Sequence, residues 1–114
     1  MGDSISSELI RGHIDTIILR VLVEGDSYGY EIIKSIYQNS NQQYELKEPS
    51  LYTSLKRLET GKLIQSYWGD ESQGGRRKYY KITELGVKRY RNSLKEWEIA
   101  RNLIDILLEG SKEL

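Results

Sequence analysis

The sequence contains no cysteine, which excludes disulfides and thiolate chemistry and is typical of proteins from a reducing compartment. No uncharged apolar run is long enough to cross a bilayer. Residues 1–8 carry acidic and polar side chains and do not resemble a secretion signal. These absences predict a cytoplasmic protein without a membrane segment.

Residues suited to catalysis or metal binding are also scarce. His13 is the only histidine, and no carboxylates are spaced around it as metal ligands would be. No serine stands in a pattern with a base, and no glycine-rich loop lies between a strand and a helix. We therefore expect no enzyme, no catalytic residue, no metal and no cofactor, and we interpret His13 as a surface or interface residue.

Charge of one sign is not in excess, because 17 lysines and arginines balance 17 aspartates and glutamates. The distribution is nevertheless uneven: residues 47–81 carry eight cations and only four carboxylates. A cationic segment inside a neutral chain of 114 residues indicates a local surface for phosphate groups on one small domain.

Apolar spacing predicts two helices in the first third of the chain. Residues 8–23 carry one wide apolar stripe, which is typical of an amphipathic helix. Gly25 breaks this pattern, and Asp26 or Ser27 can then cap a second helix. The second helix is expected to end near residues 39–41.

A third helix is predicted over residues 49–60, because Pro49 suits the first turn and Gly61 accepts a left-handed termination. One face would anchor the helix to a core through Leu51, Leu55 and Leu58. The other side carries groups that can bond to bases or phosphates, namely Ser50, Thr53, Lys56 and Arg57, flanked by Tyr52. This side is either a DNA-reading surface or an ordinary solvated helix face.

A β-hairpin and a long helix complete the pattern. Residues 63–68 and 78–83 are rich in β-branched and aromatic side chains, and turn-prone residues separate them. From Glu84 to about Glu109, apolar side chains recur at intervals of three and four. Three helices, a hairpin wing and a long helix predict a mainly α fold, a winged helix-turn-helix followed by a C-terminal dimerisation helix.

This order divides the chain into a DNA-binding domain, residues 1–85, and a dimerisation helix, residues 86–114. The hairpin would supply the second part of the DNA surface, through Gln73 and Gly74 at its tip and the cations Arg76, Arg77 and Lys78. A charged edge strand that discourages aggregation has the same composition. Beside the third helix, the wing interpretation is favoured, and the nearby tyrosines are expected to pack on the core rather than to stack on RNA.

Residues 48–59 and 66–80 resemble the PadR family of bacterial transcriptional regulators. The resemblance depends on a combination: a Leu-Tyr pair followed by Lys-Arg-Leu-Glu, then Gly-Gly-Arg-Arg-Lys-Tyr-Tyr, and a Thr-Glu-x-Gly exit at residues 83–86. It covers almost the whole chain. It implies a winged helix that binds double-stranded operator DNA and a C-terminal helix that forms a homodimer.

Within this family the sequence is most similar to the small, multidrug-responsive, LmrR-like repressors with one C-terminal helix. That resemblance implies a flat hydrophobic pore at the dimer interface, in which paired indole rings can enclose a planar aromatic ligand. The residues implied to line it are Gly12, Thr16, Arg20, Leu94, Trp97 and Arg101. Arg101 replaces a carboxylate of the family pattern and, with Arg20, favours neutral or anionic ligands. A tryptophan that only packs in the dimer core is the alternative.

The sequence thus predicts a DNA-binding regulator, and a second class of function remains open. A winged helix can also serve as a protein-interaction module without a specific operator. Salt separates the two, because phosphate contacts weaken steeply as salt rises and an apolar protein interface changes little.

Overall fold

Five helices and three short strands make up the part of the chain that the computed structural model describes, residues 7–69 and 76–109. In chain order they are α1 (Ser7–Arg11), α2 (Ile14–Glu24), β1 (Ser27–Tyr28), α3 (Gly29–Asn39), α4 (Glu48–Thr60), β2 (Ile64–Trp68), β3 (Lys78–Ile82) and α5 (Glu84–Glu109). This order confirms the mainly helical winged helix-turn-helix with one long C-terminal helix.

The first predicted helix is interrupted. Residues 8–23 were expected as one helix, but Gly12 and His13 form a turn between α1 and α2. The His13 N–H donates to the Ile10 carbonyl at 2.8 Å, a bond of the tight-turn type. The prediction of a continuous helix is therefore wrong, because apolar spacing does not detect a turn that keeps the same side facing inward.

The start of α3 also differs from the prediction. Neither Asp26 nor Ser27 caps it, because the cap position is occupied by Tyr28, which makes no side-chain cap bond. The buried Ser27 hydroxyl instead donates to Glu31 Oε1 at 2.9 Å. Ser27 and Tyr28 form β1, an additional strand. The predicted end of this helix is confirmed at Asn39.

Helix α4 closely matches its predicted range, and Pro49 lies in its first turn. Its end is built differently from the prediction. Gly61 has a φ of −79°, and Lys62 adopts the left-handed conformation with a φ of 64°. The helix ends at Thr60 as predicted, but the left-handed residue comes one position later than expected and is a lysine, in a conformation that glycine would adopt more easily.

Helix α2 lies at the centre of the core and contacts α3, α4, α5 and β3. The predicted inward leucines of α4, Leu51, Leu55 and Leu58, are all buried. The other buried apolar side chains are Ile18, Leu19, Val21, Leu22, Ile32, Ile36, Leu46, Leu63, Ile64 and Tyr80. This single cluster holds α3 and α4, the two helices of the helix-turn-helix, at a fixed angle.

The three strands form one antiparallel sheet in the order β1-β3-β2. Strand β3 is central: Tyr80 lies opposite Ser27 on one side and opposite Ser66 on the other. The wing is therefore hydrogen-bonded to the segment between α2 and α3, and it is not a free two-stranded ribbon.

Helix α5 begins on a crowded junction. The Thr83 hydroxyl donates to the Lys62 carbonyl at 2.8 Å, and the Gly86 N–H donates to that hydroxyl at 3.0 Å. Gly86 is the only buried residue among those described in α5, and the Leu63 carbonyl oxygen lies where a Cβ at position 86 would be. The first half of α5 packs on α2 and β3.

The second half of α5 extends away from this core. Every residue from 101 to 109 is exposed, although many of the side chains are apolar. The large exposed apolar side chains in this part of the helix are Ile99, Leu103, Ile104, Ile106, Leu107 and Leu108. A single chain thus leaves a continuous apolar surface in water.

Candidate DNA interface and apolar pocket

The outward side of α4 carries every residue predicted there. Ser50, Tyr52, Thr53, Lys56 and Arg57 are all exposed, whereas the intervening leucines are buried. This alternation follows from helical periodicity, because the leucines recur at three- and four-residue spacing. The structure therefore brings the five predicted side chains onto one solvent-facing surface.

Two of these side chains are positioned by their neighbours. The Thr53 hydroxyl donates to the Pro49 carbonyl at 2.9 Å, so its oxygen remains as an acceptor. The Tyr52 side chain is half exposed, and its hydroxyl lies against Gly29 at the start of α3. A methyl group at position 29 would overlap that hydroxyl, so glycine leaves the room that Tyr52 occupies.

Arg57 is held by a carboxylate from another helix. Its Nε and Nη2 donate to the two oxygens of Asp15 on α2, at 2.9 and 2.7 Å. Nη2 also donates to the buried Ser54 hydroxyl at 3.1 Å. The hydrogen bonds to Asp15 and its charge raise the pKa of the Arg57 guanidinium above its usual range. Sequence analysis placed Arg57 among the reading residues but gave no sign of this partner.

The three predicted wing cations, Arg76, Arg77 and Lys78, each lie over an aromatic ring. The Arg76 and Arg77 guanidinium carbons are 4.9 and 4.7 Å from the ring centres of Trp68 and Tyr28. The Lys78 ammonium is 5.8 Å from the ring centre of Tyr80. All three distances allow cation–π attraction, which limits the conformations of these long side chains. Gln73 and Gly74 lie outside the described residues.

A row of tyrosines, in edge-to-face and stacked contacts, connects the wing to the helical core. The Tyr79 ring lies between Tyr28 and Tyr67, with ring centres 5.4 and 5.7 Å away. The Tyr67 hydroxyl donates to Asp26 at 2.6 Å, and this hydrogen bond raises the pKa of Tyr67. Burial raises the pKa of Tyr80, which packs in the core. These tyrosines were expected to pack rather than to stack on nucleotides, and Tyr80 does so.

A further hydrogen bond joins the wing directly to α4. The Ser66 hydroxyl on β2 donates to Glu59 Oε2, near the end of α4, at 2.7 Å. Both side chains are partly buried. The distance between the helix face and the wing is therefore fixed by side-chain bonds as well as by the core.

An apolar pocket of about 520 Å³ opens between α1, α2, α3 and α5. Four of the six residues that the family resemblance implied line it: Thr16, Arg20, Leu94 and Trp97. Gly12 and Arg101 do not line this pocket. Sequence reasoning missed further lining residues, among them Ile10, His13, Ile36, Tyr44 and Tyr90.

His13 and Trp97 form the aromatic edge of this pocket. Their ring centres are 4.8 Å apart and the planes are inclined at 74°, an edge-to-face contact. The Trp97 side chain remains 44% exposed in the single chain. His13 was expected only at a surface or interface, and no sequence signal connected it with Trp97.

Charge in the pocket is partly neutralised. The Arg20 guanidinium is 2.6 Å from Glu24 Oε2, an exposed ion pair one turn along α2. Burial raises the pKa of Tyr44, which favours its neutral phenol form. The lining is therefore mainly apolar and aromatic, with one paired arginine.

Within residues 7–69 and 76–109, no three histidine, aspartate or glutamate side chains are grouped as a metal site. None of the helices described is both long enough and apolar enough to span a membrane. The fold, the exposed polar face of α4 and the cationic wing together define a winged helix-turn-helix protein of the DNA-binding class.

Comparison with known proteins specifies this class further. The model of the PadR-like transcriptional regulator family matches residues 18–92, which is more than half of the chain. The chain belongs to the PadR-like family of transcriptional regulators, whose members bind DNA. The family and its solved structures are those of regulators and not of enzymes.

Two solved structures and one sequence illustrate the similarity. A transcriptional regulator from Clostridium thermocellum is 48% identical with a TM-score of 0.82, over 89% of this chain and 95% of that one. A PadR family transcription regulator from Clostridium difficile is 38% identical with a TM-score of 0.74, over 84% of this chain and 98% of that one. An uncharacterized protein from Lysinibacillus sphaericus is 45% identical over 106 residues, 93% of this chain and 97% of that protein.

Proposed function

We propose that the chain is a repressor that binds a roughly palindromic operator as a homodimer, with α4 in the major groove and the wing on the adjacent groove or backbone. One observation carries this proposal: the exposed polar face of α4 and the wing cations belong to a single unit joined by the Glu59–Ser66 hydrogen bond. Repression would follow from occupation of a promoter.

The homodimer is supported by the apolar surface of α5. Leu103 and Leu107 are 53% and 69% exposed, and their neighbours on the helix are similarly exposed. Burial of large aliphatic side chains contributes about 1.5–3 kcal/mol each, so such a surface favours association. Residues 86–114 would then be the dimerisation segment, and two copies would present two α4 helices to two half-sites.

Lys56→Ala and Arg76→Ala should each weaken operator binding about tenfold, since each variant removes a cation from the proposed reading surface. Both side chains are exposed, so the free energy of unfolding should hardly change. The measurement is fluorescence anisotropy with a duplex recovered by the wild-type protein from a random-sequence library.

Lys88→Ala, which removes an exposed lysine from α5, is the matched control and should bind like the wild type. Full-strength binding by both reading-face variants would contradict the assignment. Wild-type affinity that does not change with salt would favour the protein-interaction module instead.

We further propose that a planar aromatic ligand binds beside Trp97 and relieves repression. The apolar lining of the pocket and the exposed Trp97 ring support this site. The pocket is lined in part by α2, which also packs on α4. Such a ligand would regulate only if it bound two arrangements of the DNA-reading helices with different affinity.

Trp97→Ala should abolish the response to aromatic ligands if the indole ring forms the site. The measurement is quenching of tryptophan fluorescence by a cationic acridine, a neutral flavone and an anionic naphthalenesulfonate. Trp68→Phe is the control, because it removes the other tryptophan and should retain saturable quenching. Equal ligand affinity in Trp97→Ala and the wild type, measured by calorimetry, would rule out this site.

A further inference from the structure

The pairing of Asp15 with Arg57 is not favoured by charge alone on a surface that binds phosphate groups. It places a carboxylate beside a cation of the proposed reading face, and the Asp15 side chain is itself 33% exposed. Simple electrostatics predicts that such a carboxylate weakens attraction to phosphate. Its position therefore calls for a gain that offsets the repulsion.

The geometry of the Arg57 guanidinium supplies a gain that offsets this repulsion. Of its five N–H groups, Nε uses one for Asp15, and Nη2 uses two, for Asp15 and Ser54. The two N–H groups of Nη1 make no hydrogen bond within the described residues. Because the guanidinium is planar, fixing the Nε and Nη2 edge also fixes the direction of Nη1. The Arg57 side chain is 58% exposed, so solvent reaches it.

The pair also connects two parts of the fold that lie far apart in the sequence. Asp15 belongs to α2, the helix at the centre of the core, whereas Arg57 belongs to α4. Ser54, the third member, is itself buried, so the anchoring side of the guanidinium is held by groups attached to the core. An arginine without such anchors would sample many rotamers and lose that freedom on binding.

We propose that Asp15 is a positioning residue for DNA binding: it orients Arg57 so that Nη1 donates to a backbone phosphate of the DNA. The inference rests on the proposed function, in which α4 contacts the operator. Asp15 touches no DNA itself. The loss of charge attraction is offset because the guanidinium is already oriented before binding.

The test combines two substitutions in all four combinations: Asp15→Asn alone, Arg57→Ala alone, both together, and neither. Binding is measured by anisotropy with the duplex recovered by the wild-type protein, over a series of salt concentrations. Asp15→Asn should weaken binding about tenfold, although it removes a negative charge. Once Arg57 is alanine, Asp15→Asn should cause no further loss of affinity. Arg57→Ala should reduce the slope of log affinity against log salt by about one.

Glu24→Gln is the matched control, because it also removes a carboxylate from α2. It pairs with Arg20 and not with a residue of α4. This variant should bind as tightly as the wild type or slightly more tightly.

Arg57→Lys keeps the charge but cannot make the two-point contact with Asp15, so it should bind nearly as weakly as Arg57→Ala. This variant also provides a test that does not depend on the folding of Asp15→Asn.

Tighter or unchanged binding by Asp15→Asn would overturn the inference, as would wild-type binding by Arg57→Lys. A tenfold loss that persists in the Arg57→Ala background would also overturn it, because Asp15 would then act through the fold and not through Arg57. If the wild-type protein shows no salt-dependent binding to any duplex, the proposed function itself fails. That outcome is distinct from a failure confined to Asp15.

Discussion

Replacing Leu103 and Leu107 together by glutamate should convert the protein to a monomer and lower its affinity for a palindromic duplex by more than about a hundredfold. Both leucines lie on the exposed apolar part of α5, four residues apart and therefore on one side of the helix. In a symmetric dimer each substitution occurs twice, so four carboxylates would have to be buried. Separate monomers avoid that cost.

The loss of DNA affinity follows because a monomer contacts only one of the two half-sites. In a dimer, binding of one α4 holds the other close to its half-site, which raises the effective concentration of the second contact. Sedimentation velocity should show the change in mass, and circular dichroism should show that the fold persists. Persistence of the fold is expected because the substituted side chains are exposed in the single chain.

Asn102→Glu is the matched control, since it adds a carboxylate at an exposed polar position of the same helix. This variant should remain dimeric and bind the palindrome with near wild-type affinity if position 102 faces away from the partner. Dimerisation by the Leu103→Glu, Leu107→Glu protein would contradict the proposed role of α5. So would tight palindrome binding by a wild-type protein that sediments as a monomer.

Gly86→Ala should lower the free energy of unfolding by about 1–3 kcal/mol, the usual cost of forcing extra volume into a packed site. Helix propensity alone predicts the opposite, because alanine is favoured over glycine by about 1 kcal/mol within a helix. The steric clash at position 86 outweighs helix propensity, so the substitution is expected to destabilise the protein. A methyl group at position 86 would overlap the Leu63 carbonyl and approach Ile82 Cγ1 to 2.7 Å.

The Leu63 carbonyl has little room to move, because it accepts the Thr83 N–H at 3.0 Å and lies 3.1 Å from the Thr83 hydroxyl. The melting temperature should therefore fall by roughly 5–20 °C. Gly12→Ala is the control, since nothing lies within 4 Å of the added methyl group. It should shift stability by no more than about 0.5 kcal/mol. A Gly86→Ala protein as stable as the wild type would show that the junction can relax.

The elements marked by local signals were predictable. Residues 49–60 have a proline at one end and a leucine face, and α4 was found there. The hairpin was marked by a turn-prone segment between two aromatic runs, and α5 by a long apolar repeat. In each case the information lies within a few residues of the element itself.

The features that were missed depend on partners far away in the chain. Strand β1 is two residues long and exists because it pairs with β3, so no local pattern marks it. The contact of Asp15 with Arg57 and that of His13 with Trp97 likewise join distant helices. The turn at Gly12 was missed for a different reason: the apolar stripe continues through it. Sequence periodicity reports which side is apolar but not which distant residue meets it.

The position of β3 between β1 and β2 has a consequence for synthesis on the ribosome. The first three long helices emerge before β3, yet the sheet cannot close until Lys78–Ile82 have left the exit tunnel. Until then Ser27 and Tyr28 lack their backbone partners, and Tyr80 is missing from the core. Helix α5 emerges after β3, so a nascent chain completes its winged helix-turn-helix before it exposes the apolar segment with which another copy could associate.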